Sequence, residues 1–302
     1  MLFDSSFLGK LERLHLLSRR TFGGQSRAER RSRKLGSSLE FADYRNYSPG
    51  DDLRSIDWNI YGRLDKLFLK LFEEEEDLHI YLLVDASASM RWTALDARTD
   101  RPLRQSKLDL ARRIAGTLAY IGLANLDRVN VHFFTENLLG DLGLGRGKGH
   151  FHRALEYLER LPAERGETQL ARSLRAFGQG KRRRGLVIIL SDFFDPAGYE
   201  DALSYLLYQR YELQLIQILD PAELTPGLLG DLRLTDTETG QTREVTVNES
   251  LTRAYERAVN DFLVGLENFC AKRGVGLRRA MTDMSFEDFV LRTLRGRGAL
   301  LH

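Results

Sequence analysis

Cysteine is almost absent. Cys270 is the only one in 302 residues, which excludes a disulfide within the chain and suits a reducing compartment. Long apolar runs are absent too. No stretch approaches the roughly 18 consecutive apolar residues that a bilayer-spanning helix needs. The opening MLFDSSFLGKLERLHLLSRR has neither a basic flank before an apolar segment nor a small-residue cleavage site. The expectation is a soluble, cytoplasmic protein with no membrane span. Nor is there an excess of one charge: 45 Lys and Arg against 43 Asp and Glu leave a net charge of +2, so the whole molecule has no strong preference for nucleic acid or membrane. Two catalytic signatures are also missing. No Gly-x-Ser-x-Gly elbow occurs, which leaves a serine hydrolase unsupported. The glycine run GDLGLGRGKGH, residues 140–150, is not a phosphate loop, because Lys148 is followed by Gly149 rather than Ser or Thr.

What is present is a hydrophobic content of 42%, ample for a packed core. Residues 3–20 carry apolar residues at helical spacing, and the basic run that follows, with its Gly23-Gly24 and Gly36-Ser37-Ser38 punctuation, reads as a solvated linker. KLFLKLFE alternates apolar and polar residues as a half-buried strand does, and Glu73 to Asp77 form an acidic turn after it. From residue 78 two textures alternate. LHIYLLVD, DRVNVHFFT, GLVIILSD, ELQLIQILD and VGLRRAMT are apolar strands. SKLDLARRIAGTLAYIGLANL, HRALEYLERL, TQLARSLRAFGQG, YEDALSYLLYQRY, LTRAYERAVNDFLVGLENFCAKRG and SFEDFVLRTLRGRG carry helical stripes. GDLRLTDTETGQTREVTV reads as an antiparallel hairpin about Gly240. Strands alternating with amphipathic helices specify an α/β fold, a mostly parallel sheet covered on both faces. The expected division is an N-terminal helix and basic linker over 1–37, a turn and β segment over 38–77, and the α/β domain over 78–302.

The chemistry gathers at strand ends. In open parallel sheets, ligands sit beyond the carboxyl ends of the strands. Asp85 ends the first core strand and is followed by Ser87 and Ser89. Asp192 ends GLVIILSD, and Thr168 opens a helix in RGETQLARSL. Two carboxylates and three hydroxyls form a hard-oxygen donor set that selects Mg²⁺, Mn²⁺ or Ca²⁺ and disfavours zinc. The competing reading is a helix cap, since Asp and Ser serve there as well. His150 and His152, facing the same way on a strand, are two ligands without a third and make a weak zinc case.

These residues resemble the metal-ion-dependent adhesion site of von Willebrand factor A domains: DASASM, the Thr of GETQLARSL, and VIILSDFFD supply Asp85, Ser87, Ser89, Thr168 and Asp192. The resemblance spans residues 78–280 and implies a Rossmann-like von Willebrand A-type sheet. Upstream, LEFADYRNYSPGDDLRSIDWNIYGRLDKLFLKLFEEEED resembles the hallmark of the domain-of-unknown-function 58 family. It carries that pattern on Phe41, Arg45, Tyr47, Pro49, Gly50, Asp51, Asp52, Arg54, Ile56, Asp57 and Trp58. Read bottom-up, this stretch is a structural turn that staples an extra strand to the sheet, with Arg54 and Asp57 pairing with Asp51 and Asp52, and Trp58 anchoring the core.

The resemblance implies a non-enzymatic adaptor. A divalent metal would accept an Asp or Glu from a protein partner, and a MoxR-type AAA+ ATPase is the implied associate in complex assembly or remodelling. The alternative is a metal-dependent phosphoryl-transfer or hydrolytic enzyme. Against that stands the lack of a general base or lysine clamp visible beside the motif.

Overall fold

The computed structural model describes residues 3, 6–11, 40–73, 78–93, 102–160 and 169–295. The chain divides into two compact units, one formed by residues 18–77 and the other by residues 1–17 with 78–301.

In the smaller unit, β1 (Glu40–Asn46) pairs antiparallel with β2 (Phe68–Glu73). The connection begins with a tight turn closed by the Asp51 N–H donating to the Ser48 carbonyl at 3.0 Å. Pro49 sets the first corner, and Gly50, at φ +105°, occupies a conformation that a side chain disfavours. A 3₁₀ turn over Leu53–Ser55 and helix α1 (Trp58–Leu64) follow. Ile56 bridges to Leu69, and both are buried. Two sequence expectations fail here. Among the described residues β1 and β2 pair with each other in a two-stranded sheet, not as an extra strand of the six-stranded one. Trp58 is 62% exposed, edge-on to Tyr61 at 6.2 Å, because α1 buries none of its residues and Ile56 with Leu69 take the interior instead.

The larger unit runs β3 (His79–Asp85), α2 (Ala88–Arg91), α3 (Lys107–Ala124), β4 (Arg128–Phe134), β5 (Leu138–Asp141), α4 (Lys148–Arg160), α5 (Leu170–Gln179), β6 (Leu186–Ser191), α6 (Glu200–Tyr208), β7 (Glu212–Leu219), α7 (Pro221–Leu224), β8 (Gly230–Thr235), β9 (Thr242–Val247), α8 (Glu249–Arg273), β10 (Gly276–Met281) and α9 (Phe286–Arg295). Six strands form one sheet in the order β10-β7-β6-β3-β4-β5, parallel except for the antiparallel edge strand β5. The β8–β9 hairpin stands apart from it.

Every residue of β3 and β6 is buried, as expected where helices cover both faces. One face packs Ile80, Leu82 and Val84 against α3, α4, α9 and the N-terminal residues Phe3, Phe7 and Leu11. The other packs Tyr81, Leu83 and Ile189 against α5, α6 and α8. Each fully buried Leu, Ile or Val contributes roughly 1.5–3 kcal/mol relative to exposure, so these central strands outweigh any need for polar alternation.

His150 and His152 lie on α4, not on a strand. Two residues apart on a helix, they do not share a face. The His150 ring is buried with Nε2 2.9 Å from the Val129 carbonyl, while His152 Nδ1 lies 3.0 Å from the carbonyl of Lys148. Gly145 bridges to Val129, near the amino end of β4, which places it away from the strand ends that carry Asp85 and Asp192.

Candidate functional site

Asp85 closes β3 and Asp192 directly follows β6, its neighbour in the sheet, so both carboxylates stand at one rim. Asp85 is fully buried. Its Oδ1 accepts the Ser87 backbone N–H at 2.9 Å, and its Oδ2 accepts the Ser191 hydroxyl at 2.6 Å. The hydroxyls of Ser87 and Ser89 meet at 3.0 Å. Ser87 precedes the one-turn helix α2, yet its side chain makes no cap bond. Helix capping therefore does not account for the serine pair.

Thr168 lies outside the described residues. The chain that follows it is held to the same rim: the Gln169 N–H donates to the Thr135 carbonyl just past β4, and the Leu170 N–H donates to Asp195 Oδ2 at 2.7 Å. The Ser173 hydroxyl adds a bond to the same Thr135 carbonyl at 3.0 Å. Asp195, buried three residues after Asp192, is a positioning residue that the sequence reading passed over.

A larger omission is Lys107. Its side chain is completely buried, and its ammonium donates to Asp192 Oδ2 at 2.6 Å and to Glu223. Lys107 is the first residue of α3, with Ser106 as N-cap. A cation at a helix N-terminus opposes the helix dipole, so it is stable there only with acidic partners. Glu223 comes from the capping box of α7: Asp220 caps Pro221–Leu224, and Glu223 Oε2 accepts the Asp220 N–H at 2.9 Å while Oε1 holds Lys107. Asp220 is itself buried, bonded to the Thr282 hydroxyl and 3.5 Å from Arg104.

The sequence carried a signal for this. Lys107, Ala111, Ile114, Leu118 and Ile121 follow the spacing of a buried stripe, with a lysine at its head. The lysine whose absence counted against an enzyme is present, but it is enclosed between two carboxylates.

The electrostatics follow from burial. Desolvation, then the charge of Asp192, pushes Asp85 up to about 7, against the bonds from Ser191 and Ser87. Burial alone would lower Lys107, but the charges of Asp192 and Glu223 and the bonds to them outweigh it and hold the ammonium above its ordinary range. Glu223 is raised, with burial first among the causes and Lys107 working against it.

Arg104 offsets Asp220. When ionised, Asp192 and Glu223 share the ammonium of Lys107 and the charge of Asp85 stands beside Asp192, which leaves two negative charges among these described residues. A divalent cation carries the matching charge, and the donors are all hard oxygen. Among the described residues no three His, Cys, Asp or Glu side chains form a metal centre of their own. A cation at this rim would therefore rest on hydroxyl and carboxylate oxygens together.

In the smaller unit the motif residues work as a fold lock, with different pairings from those expected. Asp51 accepts from Arg45 at 2.8 Å and from the Ser48 N–H at 2.8 Å, bonds that hold its carboxyl below the usual range. Asp52 accepts the backbone N–H of Arg54 rather than its guanidinium. Asp57 caps α1 and also takes the Tyr44 hydroxyl at 3.0 Å and Lys70 at 3.2 Å. Tyr47 donates its N–H to the Leu67 carbonyl across the strand pair.

The chain belongs to the family described as protein of unknown function DUF58, whose model matches residues 43–262. An uncharacterised protein of Mycobacterium tuberculosis is 25% identical over 303 residues, covering 98% of this chain and 92% of that protein. An uncharacterised protein of Mycobacterium avium is 31% identical over 133 residues, 43% of this chain and 78% of its own length. Among solved structures, the conserved hypothetical protein BatB from Bacteroides thetaiotaomicron aligns at 14% identity and a TM-score of 0.41, covering 69% of this chain and 91% of that one. An aerotolerance-related membrane protein from Bacteroides fragilis aligns at 13% identity and a TM-score of 0.43, covering 72% and 98%. Among the described residues no helix is long and apolar enough to cross a membrane.

Proposed function

We propose that the chain is a non-enzymatic protein-binding adaptor whose rim holds a divalent cation, Mg²⁺ or in its place Mn²⁺ or Ca²⁺, and through it an Asp or Glu of a protein partner. The observation that carries this reading is the cluster of buried Asp85 and Asp192 with half-buried Glu223, balanced among the described residues by Lys107. Asp85, Ser87, Ser89 and Asp192 are the donors, with Thr168 as the further hydroxyl that the von Willebrand A resemblance supplies. The cation, when bound, would provide an electrophilic centre for an incoming carboxylate. Ser191 orients Asp85, and Asp192 is held at both oxygens, by Lys107 at one and by the Phe194 N–H at 3.1 Å at the other. The same enclosure of Lys107 favours the adaptor over a phosphoryl-transfer enzyme, because its ammonium is buried and two of its three donors are held by carboxylates.

The family resemblance, not a contact, supplies a MoxR-type AAA+ ATPase as the partner class. The single cysteine supports a cytoplasmic setting. The test is partner capture by the full chain in Mg²⁺ and in excess chelator, repeated with Asp85→Asn. Capture that depends on Mg²⁺ and is lost in the variant supports the reading. Capture indifferent to chelator ends it.

A further inference from the structure

Past the carboxyl end of β7 the chain leaves the core. From Pro221 to Gly265 it forms α7, the β8–β9 hairpin and the amino-terminal part of α8, and none of these residues is buried. The hairpin is a two-stranded sheet of its own. Such a pair is marginal in water unless something packs on it.

Its register shows which side is left to cover. Leu232 stands opposite Val245, and Leu234 and Val247 share their face by the two-residue period of a strand. The other face is polar: Thr246 donates to Asp231 at 2.6 Å, and Arg233 stands opposite Glu244. An antiparallel sheet with one apolar face ordinarily packs that face on a core. Here Leu234 is exposed and Leu232, Val245 and Val247 are only half-buried.

The base of the hairpin joins this surface to the rim. Gly230 pairs with Val247, so Leu229 enters beside Asn248, the N-cap of α8. Leu251 and Tyr255, four residues apart, share one side of that helix. Leu229 is 66% exposed, Leu251 42% and Tyr255 41%. The Tyr255 hydroxyl donates to the Glu223 carbonyl at 2.7 Å, the Glu223 carboxylate holds Lys107, and Lys107 holds Asp192. Laid end to end, these contacts reach about 14 Å at most, roughly four residues of extended chain. An apolar surface without a core and an acid-seeking rim thus lie within reach of one short peptide segment.

We propose, on the reading of the rim as a metal-dependent docking site, that the hairpin and the first turns of α8 form a docking arm for the same partner segment. That segment presents its Asp or Glu to the rim and a large apolar side chain, within about four residues of the acid, to the arm. The metal alone would accept any exposed carboxylate. The arm makes the choice among them, because a partner without the apolar residue leaves this surface in water.

The probe is a phage-displayed library of random dodecapeptides, selected on the full chain in Mg²⁺ and eluted with acid. Enriched sequences are expected to pair an Asp or Glu with Leu, Ile, Met or Phe about two to four residues away. A synthetic peptide of the enriched sequence, titrated calorimetrically, should bind the Leu229→Ser/Leu251→Ser chain about tenfold or more weakly. Alanine in place of the peptide's apolar residue should cause the same loss, and the two changes together little more. Both replaced leucines are exposed, so the melting temperature and the affinity for Mg²⁺ alone should not change. Mg²⁺-dependent binding untouched by the double substitution overturns the arm and leaves the rim standing. Binding that needs the arm but survives excess chelator overturns the shared segment and places the failure at the rim. A selection that enriches no sequence overturns the proposal. So does a dimer of the chain that the double substitution dissociates, which would make the arm a seam between copies.

Discussion

Replacing Lys107 with Met keeps most of the side-chain volume and removes the ammonium. Asp192 loses a 2.6 Å bond and Glu223 loses its charged partner, both in a place where Lys107 has no exposure at all. Removing one member of a buried ion pair leaves an uncompensated charge and costs about 3–5 kcal/mol. For a domain of this size each kcal/mol moves the midpoint by about 2–4 °C, so the melting temperature in chelator should fall by roughly 6–20 °C. The charge argument adds a second, opposite effect. With the ammonium gone, Asp192 and Glu223 lose the cation they share, and Mg²⁺ should bind more tightly and restore part of the loss by mass action. The assay is thermal and urea unfolding of both proteins, in chelator and across a Mg²⁺ series. The expected pattern is a variant that is much weaker without the metal and more responsive to it than the parent. A loss below about 1 kcal/mol, in the range of an exposed pair, or a variant no more responsive to Mg²⁺ than the parent, would refute the charge balance on which the rim was read.

Two further perturbations separate the fold from the sites. His132 is fully buried beside Phe177, and burial first, then the charge of Arg182, depresses it to about 4, with Asp141 working the other way. The folded state then binds fewer protons than the unfolded state between about 6.5 and 4, so stability is fully present above 6.5 and is lost as pH falls through that window. The loss is about 3 kcal/mol, and urea unfolding at several pH values should find it removed by His132→Leu. In the smaller unit, Asp57→Ala removes the cap of α1 and the anchor for Tyr44 and Lys70 together. Hydrogen exchange should accelerate over Trp58–Leu64, with no change at β3 or β6.

The parallel sheet was legible because the pattern of β3, β4, β6 and β7 is strong: short apolar runs that end at an Asp or Thr and alternate with long amphipathic helices. Its edge was not. β5 is four residues with only two apolar side chains, too short for a period to show, and it exists because β4 offers an unpaired side. Trp58 misled because a large aromatic in a motif suggests burial, whereas α1 is a capped surface turn without an interior face. Asp85 and Asp192 could be placed at one rim from strand ends alone. Lys107 and Glu223 could not, because their meeting depends on how α3 and α7 are oriented beyond the strands; the stripe that Lys107 heads signals its burial but not its partners. Thr168, assigned by resemblance, lies outside the described residues.

The two ends of the sheet carry opposite charge, with Lys181, Arg182 and Arg183 leading into β6 at the amino end, and the helix dipoles supply a reason. Each crossover helix of a parallel sheet starts near the carboxyl end of one strand and returns to the amino end of the next. Partial positive charge from helix N-termini therefore collects at the rim that holds Asp85 and Asp192, and partial negative charge from helix C-termini collects at the other. Acids at the first and bases at the second are stabilised before any ligand arrives. Arg182 shows this directly: α5 ends at Gln179, and the guanidinium donates to the last-turn carbonyl of Phe177. Lys107 is the exception at the N-terminus of α3, a cation on the wrong pole that two carboxylates must hold in place. A residue that works against the background field is harder to explain by folding alone than the acids around it. What it does for the rim is set the cluster's deficit at two charges rather than three, the charge of a divalent ion.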